Sequence, residues 1–263
     1  MPGQILLNLV LDSDLLKSKM KNKVLFLIFI SFTLTTCKKD HLFDCFKSAG
    51  KTITENRSVS PFININLDNN VDLIIHPNTG FYIKVTAGKN IIDGITTELS
   101  GNTLYIRNEN RCNWMRSFKN TYTVEVGMDK PSLIHYEGSG DITCIDTILT
   151  DEFTFDCYNG SGSINLLLHC NKTHLNHHIG RSDFHVTGIS GESYIYVNDV
   201  GTFDGSALNA DYCYIRSSST GDCRINVKNE LGFEIKYSGN IYYTGEPHIY
   251  HQEFNGTGKL IHY

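Results

Sequence analysis

Proline is scarce in this 263-residue chain, which holds five, and tryptophan occurs once. With so few prolines, 22 glycines and 14 each of Tyr and Phe, the composition suits strands and turns better than helices. No 3.6-residue spacing of apolar positions persists through the body of the chain, which argues against a helical domain. Basic residues are not in excess: 23 Lys and Arg stand against 28 Asp and Glu, a net charge of -5, so nothing favours a nucleic-acid partner. The sequence has no CxxC pair, phosphate loop, nucleophile elbow or HExxH helix, so no cofactor is expected. Nor does any apolar run reach the roughly 20 residues that a bilayer-spanning helix needs.

The longest apolar run is Val24 to Leu34, eleven residues placed directly after the basic Met20-Lys-Asn-Lys23. That arrangement is a signal peptide, and translation is expected to start at Met20, leaving residues 1–19 as an upstream extension. Residues 20–36 then form the leader. The run ends in Leu34-Thr-Thr-Cys37, which resembles a bacterial lipobox, although Thr36 stands where Ala, Gly or Ser is usual. Cys37 is therefore the expected lipidation site, and residues 37–51 read as a tether from the outer membrane to the domain. The location implied is an exported lipoprotein, on the cell surface or the periplasmic face. The seven remaining cysteines include no metal-ligand spacing and are read as small apolar core fillers.

A repeat dominates the second half of the chain. Ser139-Gly140-Asp141-Ile142, Ser161-Gly162-Ser163-Ile164 and Arg181-Ser182-Asp183-Phe184 are followed by Val200-Gly201-Thr202-Phe203 and Thr220-Gly221-Asp222-Cys223. Ser238-Gly239-Asn240-Ile241 and Thr257-Gly258-Lys259-Leu260 complete the set. The second position of each falls at 140, 162, 182, 201, 221, 239 and 258, giving gaps of 22, 20, 19, 20, 18 and 19. A period near twenty over seven copies predicts an all-β, parallel β-helix-like solenoid over residues 136–263. Each copy leads from a small polar corner into alternating apolar residues, so each strand buries one face. Glycine at the corner is expected to supply positive φ. Residues 52–136 lack the period yet alternate in the same manner, as in Ile63, Ile65 and Leu67 or Tyr122, Val124 and Val126. They predict a β-rich N-terminal portion, with one helical turn near Asn90–Gly94 and a polar loop over residues 107–120.

Three groups of side chains could carry chemistry. Asp141, Asp183 and Asp222 share one corner position, and alternate coils would set them roughly 9.6 Å apart. That lies near the outer limit for the carboxylates of an inverting glycosidase, about 9.5 Å. A polysaccharide lyase or glycoside hydrolase is the competing reading, but the spacing follows from the repeat alone. His169, His174, His177, His178 and His185, with Cys170, could ligate zinc. Adjacent His177 and His178 point to opposite faces of a strand, so a solvated face with corner hydrogen bonds is the reading and no metal is expected. Tyrosines crowd the later coils, and Tyr194, Tyr196, Tyr212, Tyr214, Tyr242 and Tyr243 are the expected binding face for a glycan or a protein surface.

Several short segments occur in a telling order: Ser58-Val-Ser-Pro-Phe62, Val71-Asp-Leu73, Asn90-Ile-Ile-Asp93, Gly101-Asn-Thr-Leu-Tyr-Ile106 and Tyr122-Thr-Val-Glu-Val126. The corners follow, then Gly239-Asn-Ile-Tyr-Tyr-Thr-Gly-Glu-Pro247. Taken together, residues 52–263 resemble the auto-transporter adhesin head GIN domain, common in secreted proteins of Bacteroidetes. Ser182 departs from the usual corner glycine. The resemblance implies a parallel β-helix-like fold and export, often with a lipid anchor, and brings no catalytic residues. A non-enzymatic envelope protein that binds an unknown glycan or surface protein is the resulting expectation.

Overall fold

The computed structural model describes residues 48–111 and 122–263. The leader, Cys37 and most of the tether lie outside the described residues, as do Cys45, Cys112, Trp114 and most of the 107–120 loop. The compact unit begins at Ser48.

The chain is all-β and winds into a solenoid of about six turns. Among the described residues seven strands precede the regular repeat: β1 (Thr52–Arg57), β2 (Asn64–Asn69), β3 (Asp72–Pro77), β4 (Tyr82–Gly88), β5 (Ile95–Ser100), β6 (Thr103–Asn108) and β7 (Thr123–Met128). Ten follow: β8 (Leu133–Gly138), β9 (Ile142–Cys144), β10 (Ile148–Cys157), β11 (Ser163–His177) and β12 (Asp183–Asp199), then β13 (Thr202–Ser219), β14 (Cys223–Ile235), β15 (Ile241–Thr244), β16 (His248–Phe254) and β17 (Leu260–His262). Among the described residues the only helical feature is a 3-10 turn at Ile92–Gly94, inside the segment where one turn is expected.

Each later coil contributes to two walls joined by a narrow side. The first wall stacks β9, the N-terminal halves of β11 to β14, then β15 and β17, all in parallel. The second wall stacks β8, the C-terminal halves of β10 to β14, then β16. Period-two alternation turns one residue in two inward. On the first wall this produces the buried column Leu73, Ile142, Ile164, Phe184, Phe203, Cys223 and Ile241. On the second it produces Ile65, Ile134, Phe155, Leu175, Ile195, Ile215 and Phe233.

The N-terminal portion is part of the same solenoid, but out of chain order. Strands β2 and β3 form a coil held between β6 and β7 on one side and β8 and β9 on the other. Beyond β6 and β7 the direction reverses, because β5 pairs antiparallel with β6, β4 with β7, and β1 with β4. Those antiparallel strands close one end of a parallel stack whose edge would otherwise be open.

The corner glycines have a different cause from the one expected. None of Gly140, Gly162, Gly201, Gly221, Gly239 and Gly258 has positive φ. They are needed because consecutive coils touch there: a Cβ on Gly162 would lie 2.0 Å from the Gly140 carbonyl oxygen, and one on Gly239 would lie 2.1 Å from that of Gly221. At three corners a left-handed residue sits two or three positions earlier: Asn159 (φ 52), Gly180 (φ 126) and Asp199 (φ 70).

Five cysteines, Cys144, Cys157, Cys170, Cys213 and Cys223, are buried and free, which accords with their reading as core fillers. Burial pushes the Cys157 and Cys170 thiols up to about 11, so they stay protonated and unreactive at neutral pH.

His177 occupies the inward column between Cys157 and Val197, 1% exposed. Its Nδ1–H donates to the Asn198 carbonyl oxygen at 2.9 Å, and its Nε2 has no partner. Burial holds its pKa below the ordinary value. The unfolded chain therefore takes up a proton below about pH 6.5 that the folded chain refuses. This contribution to stability is complete above pH 6.5 and declines as pH falls towards the lowered folded-state value. Urea titrations at pH 7.5 and 5.5 should show a smaller pH effect for His177→Phe than for the parent, by up to about 1.4 kcal/mol per pH unit.

Candidate functional site

The outward side of the second wall gathers the side chains with the most binding chemistry. On β12 and β13 the i, i+2 rule places Tyr194 with Tyr196 and Tyr212 with Tyr214 on that side, while Ile195, Cys213 and Ile215 turn inward. Three of these rings, Tyr194, Tyr196 and Tyr212, take part in two runs of ring contacts, some stacked and some tilted. One run is His174 to Tyr194 (centroids 5.1 Å, 14°), Tyr194 to Tyr212 (5.8 Å, 48°) and Tyr212 to Tyr250 (5.4 Å, 25°). A second is His135 to Tyr158 (5.2 Å), Tyr158 to His178 (4.1 Å, 9°) and His178 to Tyr196 (5.4 Å).

Stacking has a chemical consequence. Where rings stack, as in His174–Tyr194, Tyr158–His178 and Tyr212–Tyr250, the facing sides are covered, which leaves ring edges, hydroxyls and imidazole nitrogens as the groups on offer. Cations and carboxylates fill the gaps. Lys172 lies over Tyr194 and pairs with Glu192 at 3.3 Å, and Arg216 lies over Tyr196. His174 Nε2 is 3.1 Å from Glu152. Gly232 permits the crossing of the last rings, since a Cβ there would meet both Tyr250 and Tyr214.

Tyr214 donates its hydroxyl to Glu234, and burial together with that carboxylate pushes its pKa up to about 12. The same hydrogen bond, with Lys236, holds Glu234 below its usual range. Glu234, His251 and Glu253 bring three potential metal-ligand atoms within 4.8 Å of one another. Lys236 Nζ already bridges the two carboxylates, at 2.9 Å from Glu234 and 2.5 Å from Glu253. An ammonium therefore supplies the positive charge a metal ion would bring.

Tyr242 and Tyr243 do not join this surface. They lie on β15 of the first wall, where Tyr242 meets Arg224 (5.3 Å) and Tyr263 (6.0 Å). Tyr243 packs partly against the core beside His262. Sequence reasoning passed over Tyr158, His135 and His178 as ring partners. The available signal was their spacing, since 158, 178 and 196 repeat the coil period within the second wall.

The histidine group is dispersed. His174 and His178 lie on the outer second wall and His177 in the core. His169 is on the narrow side, His185 is exposed on the first wall, and Cys170 is buried.

The corner carboxylates bind the coil stack together. Asp72 Oδ1 accepts the Asp141 N–H (3.0 Å), and Asp141 Oδ1 accepts the Ser163 N–H (2.8 Å). Thr202 donates its hydroxyl to Asp183 (2.5 Å). Asp222 Oδ1 accepts the Asn240 N–H (2.9 Å), and Asn240 Oδ1 accepts the Lys259 N–H (3.0 Å). Each side chain thus satisfies a group of the next coil, which is a structural employment for all three candidate acids.

A two-walled solenoid with this corner has known relatives. The family described as "Putative auto-transporter adhesin, head GIN domain" matches residues 61–247. The chain belongs to this head GIN family. Among solved structures, a head GIN-like fold is shared with a "putative adhesin" from Bacteroides fragilis at TM-score 0.75 and 21% identity, over 81% of this chain and 97% of that one. A "putative adhesin" from Parabacteroides distasonis gives TM-score 0.63 at 15% identity, covering 81% and 98%. A "Putative lipid binding protein" from the same species gives 0.55 at 18%, covering 81% and 97%. At these identities the likeness is one of fold. No curated protein matches the sequence. Within the described residues of this head GIN chain, no helix is long and apolar enough to cross a membrane.

Proposed function

We propose that this head GIN protein is an exported, lipid-anchored and non-enzymatic binding module of the cell envelope, which engages a glycan or a surface protein through its second wall. The observation that carries the reading is the pair of ring runs on that wall, His135 to Tyr196 and His174 to Tyr250, with the cations and carboxylates beside them. Such a surface offers many directional donors and acceptors on a rigid support, so little ordering is needed on binding. The engagement of Asp141, Asp183 and Asp222 in the corner ladder weighs against a lyase or hydrolase. Cys37, between the apolar run and Lys38-Lys39, supports an anchor in the outer membrane.

The test is retention on a panel of immobilised host and bacterial polysaccharides, with assay of newly released reducing or unsaturated ends. Retention without release, weakened about tenfold or more by the double substitution Tyr194→Ala and Tyr212→Ala, is the expected result. Release of new ends would overturn the non-enzymatic reading, and retention untouched by the substitutions would move the site off the second wall.

A further inference from the structure

The narrow side of the solenoid carries a second kind of site, independent of the second-wall reading. Successive corner positions are 20 residues apart from Gly201 to Gly221 but 18 apart from Gly221 to Gly239. The register shows where the shortening falls. Gly205 pairs with Ile225 and Asn209 with the very next residue, Asn226, so Ser206, Ala207 and Leu208 have no counterpart in β14. Then Ala210 pairs with Val227 and Tyr212 with Glu230, so Asp211 faces both Lys228 and Asn229. Three residues removed and one added account for the difference of two.

The shortened coil leaves a step, and an open groove of about 640 Å³ lies at it. That volume falls in the range of small-molecule sites. The groove is lined by Asn209, Asp211, Asn226, Lys228 and Glu246 together with Ile189, which is 49% exposed. Asn226 Nδ2 donates to Asn209 Oδ1 at 2.8 Å, and Lys228 Nζ is 3.7 Å from Asp211.

A smaller depression of about 270 Å³ repeats this composition two coils away on the same side. There the lining has one exposed aliphatic, Leu149 (46%), with Lys130 and Asp151. Asn171 Nδ2 donates to Asp151 Oδ1 at 3.0 Å. Leu149 and Ile189 stand in one outward column, through His169, so they lie roughly 10 Å apart along the axis.

Each depression therefore combines an aliphatic patch, an amide, a carboxylate and an ammonium. A ligand that fits has apolar C–H surface for the aliphatic residue and hydroxyls that both donate to carboxylates and accept from amide and ammonium N–H groups. Lys130 balances Asp151, whereas Asp211 and Glu246 outnumber Lys228, so an anionic ligand gains nothing electrostatically. We infer that the narrow side binds an uncharged linear oligosaccharide running along the solenoid axis, with one subsite at Leu149 and another at Ile189.

The full chain, carrying 13C-methyl Leu and Ile, should be titrated with cellotetraose, maltotetraose, mannotetraose and xylotetraose, with tetragalacturonate for contrast. At least one neutral tetrasaccharide is expected to shift both the Leu149 and the Ile189 methyls saturably, and to bind about tenfold or more tighter than its disaccharide. Asn226→Ala should weaken that binding about tenfold. Glu246→Gln, a surface change that leaves the groove's shape intact, serves in its place should Asn226→Ala fail to fold. Tyr194→Ala should leave the titration unchanged, which separates this site from the second wall. Absence of a saturable shift with all four, a shift at one methyl only, or equally tight binding of tetragalacturonate would overturn the inference.

Discussion

Gly162→Ala should destabilise the domain by at least about 3 kcal/mol, enough to remove much of the stability of an ordinary domain. The added Cβ would lie 2.0 Å from the Gly140 carbonyl oxygen and 2.8 Å from the Tyr136 hydroxyl, and the first of these is backbone that cannot rotate away. Tyr136 is itself fixed, donating its buried hydroxyl to that same carbonyl at 2.7 Å. Relief would require the two coils to separate and weaken the parallel ladder between β9 and β11. Gly80→Ala is the informative control. Gly80 has φ 80 and nothing within 4 Å of a Cβ, so only left-handed strain of about 1–2 kcal/mol is expected there. Urea denaturation of both variants decides the matter. An equal loss at the two positions would mean that conformational freedom, and not close approach, is what the corner demands.

Phe184→Ala should cost about 3–5 kcal/mol. Phe184 is 1% exposed and stands where the two inward columns meet. Its ring is edge-on to Phe155 (5.4 Å, 84°) and to His177 (5.7 Å, 86°), and tilted on Phe203 (6.1 Å). Truncation leaves a void bounded by rings already held by the coils above and below, so collapse into it is limited. Phe184→Leu, which keeps most of the volume, should recover more than half of the loss. A cost near 1 kcal/mol for the alanine variant, measured by the same titration, would show that these coils can close up around the gap.

Much of the architecture was legible in the sequence because its determinants are local. The twenty-residue spacing from Gly140 to Gly258 marks the coils, and alternation in Ile142-Thr-Cys144 or Phe153-Thr-Phe155 marks which residues turn inward. Residues 52–136 were legible as strands but not as coils. The antiparallel β4 and β5 fall in sequence between the β2–β3 coil and β6 and β7, which pair with it, so no fixed period survives. The corner glycines were found for the wrong reason, because a positive φ and a near carbonyl select the same residue. In the candidate site, Tyr194, Tyr196, Tyr212 and Tyr214 could be assigned to one side by parity. Whether their rings face solvent or one another could not be read, and neither could the removal of Tyr242 and Tyr243 to the other wall.

By itself, then, the sequence determined the all-β class, the coil length, the inward columns and the place of the corners, since these follow from spacing along one strand or one turn. Only the tertiary structure decided that β2 and β3 lie between strands that come later, that the corner acids hold adjacent coils, that the histidines disperse, and that an 18-residue coil opens a groove on the narrow side. Those outcomes depend on which coil lies against which and in what register, and that is settled by contacts between residues far apart in the chain.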